Sequence, residues 1–467
     1  MPKKSRAQHS EASRRKFLRQ FGSGLLAIPL LSAGPTQAET LAGPIKQFAL
    51  NDRINLACIG LGIQGFNNLA AALENPGVHL TAVCDLYDGR LARAKEVYGE
   101  DLFFTRDYRE ILAREDVDAV IVATSDHWHD HITIAALEAG KHVYCEKPMV
   151  QHLDEGHPVL EAEKRNPGVL IVGSQRVSSI LMEKAREIYR NGDLGQLVMI
   201  ETYNDRFSAL GAWQYSIPRD ASPATIDWDA FLGDAPKTPF DATRFFRWRN
   251  YRDYGTGMAG DLFVHLFSGV HRMLDSAGPE RVFATGGLRY WEDGRDVPDV
   301  FIAACDYGEQ DSHPAFNMQL RVNFVAAGGG GSRTRLVGTE GTLELGGSEL
   351  TLRRKALPKA PGYGGWDSFN TFPAATRTEF EQWYQETYPT PAPEVVGPAE
   401  WTYRTPDGYS DHVHHFNNWF TAIRKGGKVV EDGAFGFRAA APSLAANKSY
   451  FEKKPIAWDP LAMKLVE

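Results

Sequence analysis

Short apolar runs alternate with segments of helical periodicity between residues 54 and 175. Five of these runs have strand length and few polar positions, as in strands buried on both faces of a parallel sheet: 54–59, 78–84, 119–124, 142–145 and 169–172. A shorter strand is predicted near 102–105, and apolar residues recur at helical spacing in 66–73, 90–98, 108–114 and 132–139. This alternation predicts an α/β fold with a right-handed, doubly wound parallel sheet.

The pattern changes after residue 175. Segments 301–307, 315–324 and 341–345 alternate apolar and polar positions, which is typical of strands with one exposed face. Helices are predicted near 412–424 and 435–450. A glycine run at 327–331 is expected to form a hairpin or loop, because no Lys-Ser/Thr follows it.

A glycine-rich motif follows the first predicted strand. Gly60, Gly62 and Gly65 form a G-x-G-x-x-G pattern that opens a helix, and such glycines permit a tight turn, close approach of a pyrophosphate and close packing. The free N–H groups of the helix start, at Ile63 and Gln64, attract phosphate.

An aspartate closes the second predicted strand. Asp85 comes 25 residues after Gly60, where a carboxylate binds the ribose hydroxyls of the cofactor and disfavours a 2′-phosphate. The pattern therefore favours NAD over NADP, while the nearby Arg90 and Arg93 leave NADP possible.

Residues 119–149 read as a strand, loop, helix and second strand that bring Lys147 to the ligand-binding edge of the sheet. Pro148 disfavours a helical backbone at Lys147. Polar groups at the same edge are expected to contact the cofactor: Thr124, Ser125, His127, Trp128, His129, Glu146, Lys147 and Gln175. Taken alone, Lys147 would equally suit a surface loop.

Asp261 and His265 follow a glycine-rich stretch and stand four residues apart, so one helix face would carry both side chains. The alternative is a helix-capping aspartate and a core histidine. Polar and aromatic residues at 204–206, 213–215 and 247–252 would suit either a sugar pocket or surface loops.

Several of these motifs together resemble the Gfo/Idh/MocA oxidoreductase family. They are the glycine motif, Asp85, Thr124-Ser125 with His129, Gly140-Lys141-His142 and Glu146-Lys147-Pro148. The resemblance is clearest over 54–205, and the 255–265 segment matches as well. It implies a Rossmann domain at 54–175 and a C-terminal α/β domain at 176–467 with a large, mostly antiparallel open sheet, in which 354–409 is an insertion or lid. The sheet is often an oligomer interface in this family, so a homo-oligomer is expected.

The resemblance also places Lys147, Asp261 and His265 together as catalytic residues. Oxidation of a sugar carbinol needs a hydride acceptor, which NAD or NADP supplies, and a base. We expect His265 to be the base, Lys147 to polarise the reacting oxygen, and Asp261 to orient His265 and favour its imidazolium form. The expected substrate contacts are Lys147, Arg176, Asn204, Arg206, Arg252, Asp261 and His265.

Three functions remain open. The first is an oxidoreductase that transfers a hydride between a sugar and the nicotinamide. The second is an NAD-dependent glycosidase that uses transient oxidation, elimination and addition of water. The third, a non-catalytic NAD(P)-binding sensor, is disfavoured because Lys147 and His265 are both present.

The N-terminus has the pattern of an export signal. Arg14 and Arg15 precede an apolar run at 21–31, which is too short to span a bilayer, and a cleavage site is expected after Ala38. The sequence predicts a twin-arginine signal at 1–38, a linker at 39–53, use of the twin-arginine export machinery and a periplasmic location. A basic tail is the alternative. Because free nicotinamide is scarce outside the cytoplasm, a tightly bound cofactor that is recycled in place is expected.

Charge and cysteine content exclude some partners. Residues 1–38 hold 7 of the 51 basic and 1 of the 59 acidic residues, so the remaining chain has a net charge of −14, which argues against nucleic acid and anionic membranes. Positive charge could still be concentrated in one cleft. Cys58, Cys84 and Cys145 lie in predicted buried strands, so we expect core thiols, not disulfides. No metal site is expected at the histidines of 412–415, which lack suitably spaced carboxylates or cysteines.

Overall fold

The computed structural model describes residues 53–389 and 397–466. The predicted signal segment at 1–38 and the linker, apart from Arg53, lie outside the described residues. Among the residues described, no helix combines the length and the apolar character needed to cross a bilayer.

A six-stranded parallel sheet forms the N-terminal layer, in the order β3-β2-β1-β4-β5-β6. Its strands are β1 (Ile54–Ile59), β2 (Val78–Cys84), β3 (Phe103–Thr105), β4 (Ala119–Val122), β5 (His142–Cys145) and β6 (Leu170–Val172). Strands β2 and β4 flank β1, where the strand order reverses, so their carboxyl ends create a crevice. This confirms the predicted Rossmann sheet.

Five helices connect these strands: α1 (Ile63–Leu73), α2 (Asp88–Tyr98), α3 (Tyr108–Leu112), α4 (His129–Glu138) and α5 (Gly156–Arg165). Helices α1 and α4 begin three residues before their predicted starts, at 66 and 132. Periodicity identifies the buried face of a helix but not its polar first turn, which accounts for the shift.

The last two helices of the chain return to the first sheet. They are α11 (Asp411–Lys425) and α12 (Gly433–Glu452), numbered after five helices given below. Phe416 and Trp419 of α11 share a core cluster with strands β1, β4 and β5, while Phe437 of α12 packs with β4 to β6. The Rossmann core is therefore completed by residues far beyond position 175.

A ten-stranded sheet forms the second domain, in the order β14-β13-β12-β11-β7-β10-β9-β8-β15-β16. Its strands are β7 (Leu197–Asp205), β8 (Arg281–Gly287), β9 (Val300–Tyr307), β10 (Phe316–Asn323), β11 (Gly331–Gly338), β12 (Gly341–Leu345), β13 (Glu349–Arg354), β14 (Glu400–Arg404), β15 (Ile456–Asp459) and β16 (Lys464–Leu465). Only β7 and β10 pair in parallel; the other pairs are antiparallel, as predicted.

One face of this sheet is buried. Met318, Leu320 and Val322 of β10 point into the core, whereas Gln319 and Arg321 lie on the opposite, exposed face. The core side packs against α6 (Ile180–Arg190), α9 (Val264–Leu274) and α12.

Two segments depart from regular layers. Residues 206–263 contain α7 (Trp228–Leu232), α8 (Ala242–Phe246) and a π-helical turn, Ala259–Phe263, which leads into α9. The 354–409 segment contains α10 (Ala374–Thr387), in which no residue is buried. The same segment also contains β14, which pairs with β13 at the edge of the second sheet. All four cysteines are buried and free, which confirms the interpretation of Cys58, Cys84 and Cys145 as core thiols.

Candidate active site

The glycine motif lies at the carboxyl end of β1. Gly60 has a φ of +95°, and a Cβ on it would lie 2.4 Å from the carbonyl oxygen of Ala123. A Cβ on Gly65 would lie 1.9 Å from the carbonyl oxygen of Gly60. These two glycines are required for backbone packing.

Gly62 differs from the other two glycines. Its φ is −70°, and the nearest atom to an added Cβ is Nη2 of Arg90 at 3.9 Å, so the space above it is open. Gly62 caps α1 without a side-chain hydrogen bond, which leaves the first amides of the helix for an anion. This cradle fits the pyrophosphate of a dinucleotide.

A cavity of about 480 Å³ runs from this loop to Lys147. The predicted cofactor residues that line it are Gly60, Gly62, Ile63, Gln64, Asp85, Thr124, Ser125, Trp128, His129, Glu146 and Lys147. The carboxylate of Asp85 accepts hydrogen bonds from the amides of Leu61, at 2.7 Å, and Tyr87, at 2.9 Å. Its position is thereby fixed at the cavity wall.

Three predicted cofactor residues do not line this cavity. Gly65 lies beneath the turn. The ring nitrogens of His127 face the carbonyl oxygens of Tyr254 and Phe231, at 3.2 and 2.8 Å, and burial lowers its pKa to about 4. Gln175 donates to the hydroxyl of Tyr144 and to Glu146. His127 and Gln175 support the site from behind.

Glu146 links the cavity to the C-terminal helices. Its Oε1 accepts hydrogen bonds from the amides of Gln64, Asn68 and Gln175, at 2.9 to 3.1 Å. The Oδ1 of Asn68 lies 2.7 Å from Nε2 of His412 on α11. The residue before Lys147 is therefore held by three side-chain amides, one of which also contacts α11.

Residues 215–254, here called the covering segment, close one side of the cavity. The segment contributes Phe231, Phe245, Phe246 and Trp248 to the wall. No residue of 354–409 in the described part of the chain lines this cavity, and the choice between an insertion and a lid for that segment stays a prediction.

Backbone and side-chain bonds tie the covering segment to the loop after β2. The amide of Asp88 donates to Thr225 and that of Asp227 to Leu86, both at 3.0 Å. The Tyr87 hydroxyl donates to Asp220 at 2.7 Å. The guanidinium of Arg90 also lies over the rings of Phe245 and Phe246.

Lys147 and Asp261 meet at the inner end of the cavity. The Lys147 ammonium donates to Oδ1 of Asp261 at 2.8 Å and to its backbone oxygen at 2.9 Å. Nε of Arg249 donates to the same Oδ1 at 3.2 Å. Burial acts to raise the pKa of Asp261, but Lys147 and Arg249 outweigh it and hold that pKa well below its usual range.

The structure corrects the predicted pairing of Asp261 with His265. Asp261 lies in the π turn, whose wider spacing removes the simple i, i+4 relation, and its carboxylate turns to the two cations. Nδ1 of His265 is buried and has no hydrogen-bond partner among residues 53–389 and 397–466. Burial and then the charge of Lys147 lower the pKa of His265 to about 3, so its ring is neutral.

The predicted substrate residues divide into two groups. Arg176 lines a small pocket with His265, and Arg206 lies close enough to Asp261 and His265 to act on their pKa values. Asn204 accepts from Arg206 at 3.4 Å. Arg252 lines a separate cavity and stacks on Phe451, so the structure does not bring it to Lys147 and Asp261.

Sequence reasoning missed Arg249, Trp248 and Asp126. All three line the cavity, and Oδ1 of Asp126 is buried there without a hydrogen-bond partner in the described chain. The polar, aromatic stretch 247–252 was the available signal, but it contains three arginines and no feature that selects one.

The histidines near 412 form separate hydrogen bonds. His412 contacts Asn68, His414 the Tyr409 hydroxyl, and His415 the Ser178 hydroxyl. Within the described ranges, no group of three or more His, Cys, Asp or Glu side chains is arranged to hold a metal ion.

Two family models match the chain. The model described as "Oxidoreductase family, NAD-binding Rossmann fold" matches residues 54–174, and the GFO/IDH/MocA C-terminal domain matches 230–344. Together they cover the first sheet and strands β8 to β12 of the second, up to residue 344.

Curated relatives match over part of their length. An inositol 2-dehydrogenase from Salmonella paratyphi B is 29% identical over 163 residues, 34% of this chain and 48% of the relative. A glycosyl hydrolase family 109 protein from Shewanella baltica is 33% identical over 126 residues, 24% of this chain and 27% of the relative. The chain thus spans about half the length of the inositol dehydrogenases it matches.

Solved structures share the fold. A levoglucosan dehydrogenase in complex with NADH and levoglucosan has a TM-score of 0.60 at 20% identity, covering 87% of this chain and 99% of that one. An aldose-aldose oxidoreductase from Caulobacter crescentus has a TM-score of 0.61 at 17% identity, with the same coverage.

Proposed function

The chain belongs to the Gfo/Idh/MocA oxidoreductase family, and we propose that it transfers a hydride between a carbinol of a sugar or sugar derivative and a tightly held nicotinamide. The observation that carries this proposal is the position of Lys147. Its ammonium is fixed by Asp261 at one end of a cavity whose other end is the glycine cradle. Relatives named as inositol dehydrogenases and neighbours named as sugar oxidoreductases support the substrate class.

The residues present fit NAD. Gly62 and the start of α1 would hold the pyrophosphate, and Asp85 would accept from the adenosine ribose. When bound there, NAD supplies the acceptor for the hydride that leaves the carbinol carbon.

The side chains at the inner end would handle the proton and the charge. The Lys147 ammonium donates to the reacting oxygen and stabilises the negative charge that develops on it. Asp261 keeps that ammonium in place. His265 is neutral and accepts the hydroxyl proton at Nε2, since Nδ1 is buried.

The covering segment supports retention of the cofactor. The bonds between 86–88 and 225–227 hold the covering segment against the first domain, and we infer that they open before a bound nicotinamide dinucleotide leaves. Retention would suit an enzyme exported by the twin-arginine route to the periplasm, which we propose from residues 1–38. The cofactor would be restored within the catalytic cycle by a second sugar.

Assembly through the second sheet is part of the proposal. The exposed face of its ten strands carries Gln319, Arg321 and Arg335 among other polar side chains. Such a broad, flat face would join two copies of the chain.

A glycosidase is the second candidate, favoured by the match to glycosyl hydrolase family 109 proteins. Oxidation of one sugar carbon acidifies the neighbouring C–H bond. Loss of that proton then expels the aglycone, water adds, and the hydride returns, so the net reaction is hydrolysis without net oxidation.

The test uses protein purified from the periplasm after export. Denaturation should release a nicotinamide, and the intact protein is incubated with sugars and aryl glycosides without added cofactor. Reduction of the bound nicotinamide by one sugar and its reoxidation by another support the oxidoreductase. Release of aglycone with the nicotinamide unchanged supports the glycosidase, and the absence of retained nicotinamide contradicts the recycling scheme.

A further inference from the structure

Positive side chains gather around the Lys147–Asp261 pair. Lys147 and Arg249 line the cavity and bond Asp261, Arg206 acts electrostatically on Asp261, and Arg176 acts on His265 from a small neighbouring pocket. Asp261 pairs with Lys147 and Arg249, and Asp126 acts on Arg249. The four cations outnumber these two carboxylates, although the chain as a whole is acidic.

Asp126 is a buried carboxyl group, 1% exposed, and burial raises its pKa. Its Oδ2 is already engaged by the amide and hydroxyl of Thr256, at 2.9 and 2.7 Å. Glu146 faces the amides of Gln64, Asn68 and Gln175 and has no ion pair among the described residues.

Arg249 has hydrogen-bond donors that the described protein does not use. Its Nε–H bonds Asp261, but its two terminal amino groups have no hydrogen-bond partner in the part of the chain that the structure describes. The side chain is 22% exposed, lines the cavity and stacks on Trp248. Its planar fork is therefore directed at the space beside Lys147.

Arg206 is a mostly buried cation without an anionic partner. It donates to the carbonyl oxygen of Gly211 at 3.1 Å and to the amide oxygen of Asn204, and it lies over the Phe324 ring. No carboxylate within the described ranges forms an ion pair with it. Burial lowers its pKa, which is the sign of a charge that lacks compensation.

Two other carboxylates in this part of the fold are already paired. Asp205, the neighbour of Arg206, bonds Arg321, and Asp293 bonds Arg295. The pyrophosphate of a bound dinucleotide would lie at the glycine cradle, at the opposite end of the cavity. An oxidised nicotinamide ring, if bound with its pyrophosphate at the cradle, would add a further positive charge near Lys147.

We propose that the substrate is a sugar carrying an anionic oxygen group, bound by the free amino groups of Arg249 next to the uncompensated charge of Arg206, while its carbinol lies at Lys147. A guanidinium binds a carboxylate through two parallel hydrogen bonds, and it binds a sulfate ester by the same chemistry. This inference rests on the proposed oxidoreductase function and specifies its substrate class.

The test compares matched sugars on the purified protein with its retained nicotinamide. The pairs are glucuronate with glucose, galacturonate with galactose, and glucose 6-sulfate with glucose, and the readout is the rate of nicotinamide reduction. We expect kcat/KM to be about 30-fold higher for the anionic member of a pair. The uronates and the sulfate ester distinguish a carboxylate site from a sulfate site.

Variants and salt test the cause of this preference. Arg206→Gln removes the charge but keeps hydrogen-bonding groups, and it should reduce the preference to below about threefold. Arg190→Gln is the control, because Arg190 is an exposed arginine paired with Asp275 on the far side of α6. That variant should keep the preference. Raising the ionic strength should raise KM for the anionic sugar more than for the neutral one.

The same experiments separate an error in the substrate class from an error in the proposed reaction. Equal or faster reduction by the neutral sugars overturns the anionic substrate and leaves the oxidoreductase in place. If no sugar reduces the nicotinamide, calorimetric titration of the protein with glucuronate and with glucose tests whether the anion site exists. Tighter binding of glucuronate that Arg206→Gln abolishes supports the anion site, and equal or absent binding overturns it.

Discussion

The ammonium of Lys147 and the carboxylate of Asp261 form a 2.8 Å ion pair between the two domains. Both side chains are largely buried, with 10% and 7% exposed, and a second bond joins the ammonium to the Asp261 backbone. The strand end β5 and the π turn before α9 are thereby fixed relative to each other. A lysine held by its own counter-charge is positioned before any substrate arrives, which is what preorganised catalysis requires.

The neutral state of His265 predicts the pH dependence of turnover. Because burial and then the charge of Lys147 lower its pKa to about 3, the ring is unprotonated throughout the neutral range and does not change its charge there. His265→Gln should lower kcat about 100-fold, and the wild-type kcat should show no limb near pH 6.5 from this residue. Steady-state kinetics from pH 5 to 9 checks this, and an acid limb near 6.5 that vanishes in the variant would contradict it.

Buried histidines should control stability in acid. Burial lowers the pKa of both His271 and His415 to about 3, whereas an unfolded histidine titrates near 6.5. The unfolded state therefore binds more protons below pH 6.5, and stability that is complete above that pH is lost as the pH falls towards 3. Each histidine should cost about 2 kcal/mol between pH 6.5 and 5.

Urea unfolding at pH 7.5, 6 and 5 measures this loss. His415→Gln should destabilise the protein at pH 7.5, because hydrogen bonds to Ser178 and Val172 are lost, but its stability should depend less steeply on pH. If the free energy of unfolding depends on pH as steeply in His415→Gln as in the wild type, His415 does not remain neutral in the folded protein.

Gly62 should be needed for binding of the cofactor and not for the stability of the fold. In Gly62→Ala the methyl group enters the open cradle, so we expect normal thermal stability but about tenfold or more weaker retention of nicotinamide. Gly347→Ala, in the β12–β13 turn with no atom within 4 Å of the added Cβ, is the matched control. Nicotinamide content after gel filtration provides the readout, and equal content in both variants would argue against a pyrophosphate at Gly62.

The covering segment should set the rate of cofactor loss. Tyr87→Phe removes only the hydroxyl that donates to Asp220, at a cost of about 1 kcal/mol. If opening of the segment precedes release, nicotinamide should dissociate about fivefold faster. Trapping the released cofactor with an excess of a second dehydrogenase measures this rate, and an unchanged rate would mean that the cofactor leaves by another route.

Much of the first domain could be predicted from the chain. Continuous apolar runs identify strands buried on both faces, and the glycine motif with Asp85 identifies the cofactor edge. The packing of α11 on the first sheet could not be predicted. Phe416, Trp419 and Phe420 indicate a buried helix face, but they do not indicate which sheet covers it. The same holds for the covering segment, whose helices have only five residues each and show little periodicity.

The sequence predicted most of the residues of the site but not the hydrogen bonds between them. Lys147 and Asp261 meet as the family resemblance implied, yet the i, i+4 spacing suggested a contact with His265 that the π turn prevents. Arg249 was one of three arginines in a short stretch. Only the fold shows that it, and not Arg252, reaches Asp261.

The most direct measurement is single-turnover reduction of the retained nicotinamide by the best sugar, in wild-type protein and in Lys147→Met. Lys184→Met, at a surface lysine paired with Glu187, is the control. We predict that Lys147→Met keeps its nicotinamide and its fold but reduces it about 100- to 1,000-fold more slowly, because the charge beside the reacting oxygen is gone. Reduction at the wild-type rate in Lys147→Met would contradict the central claim that Lys147 stands at the reacting oxygen.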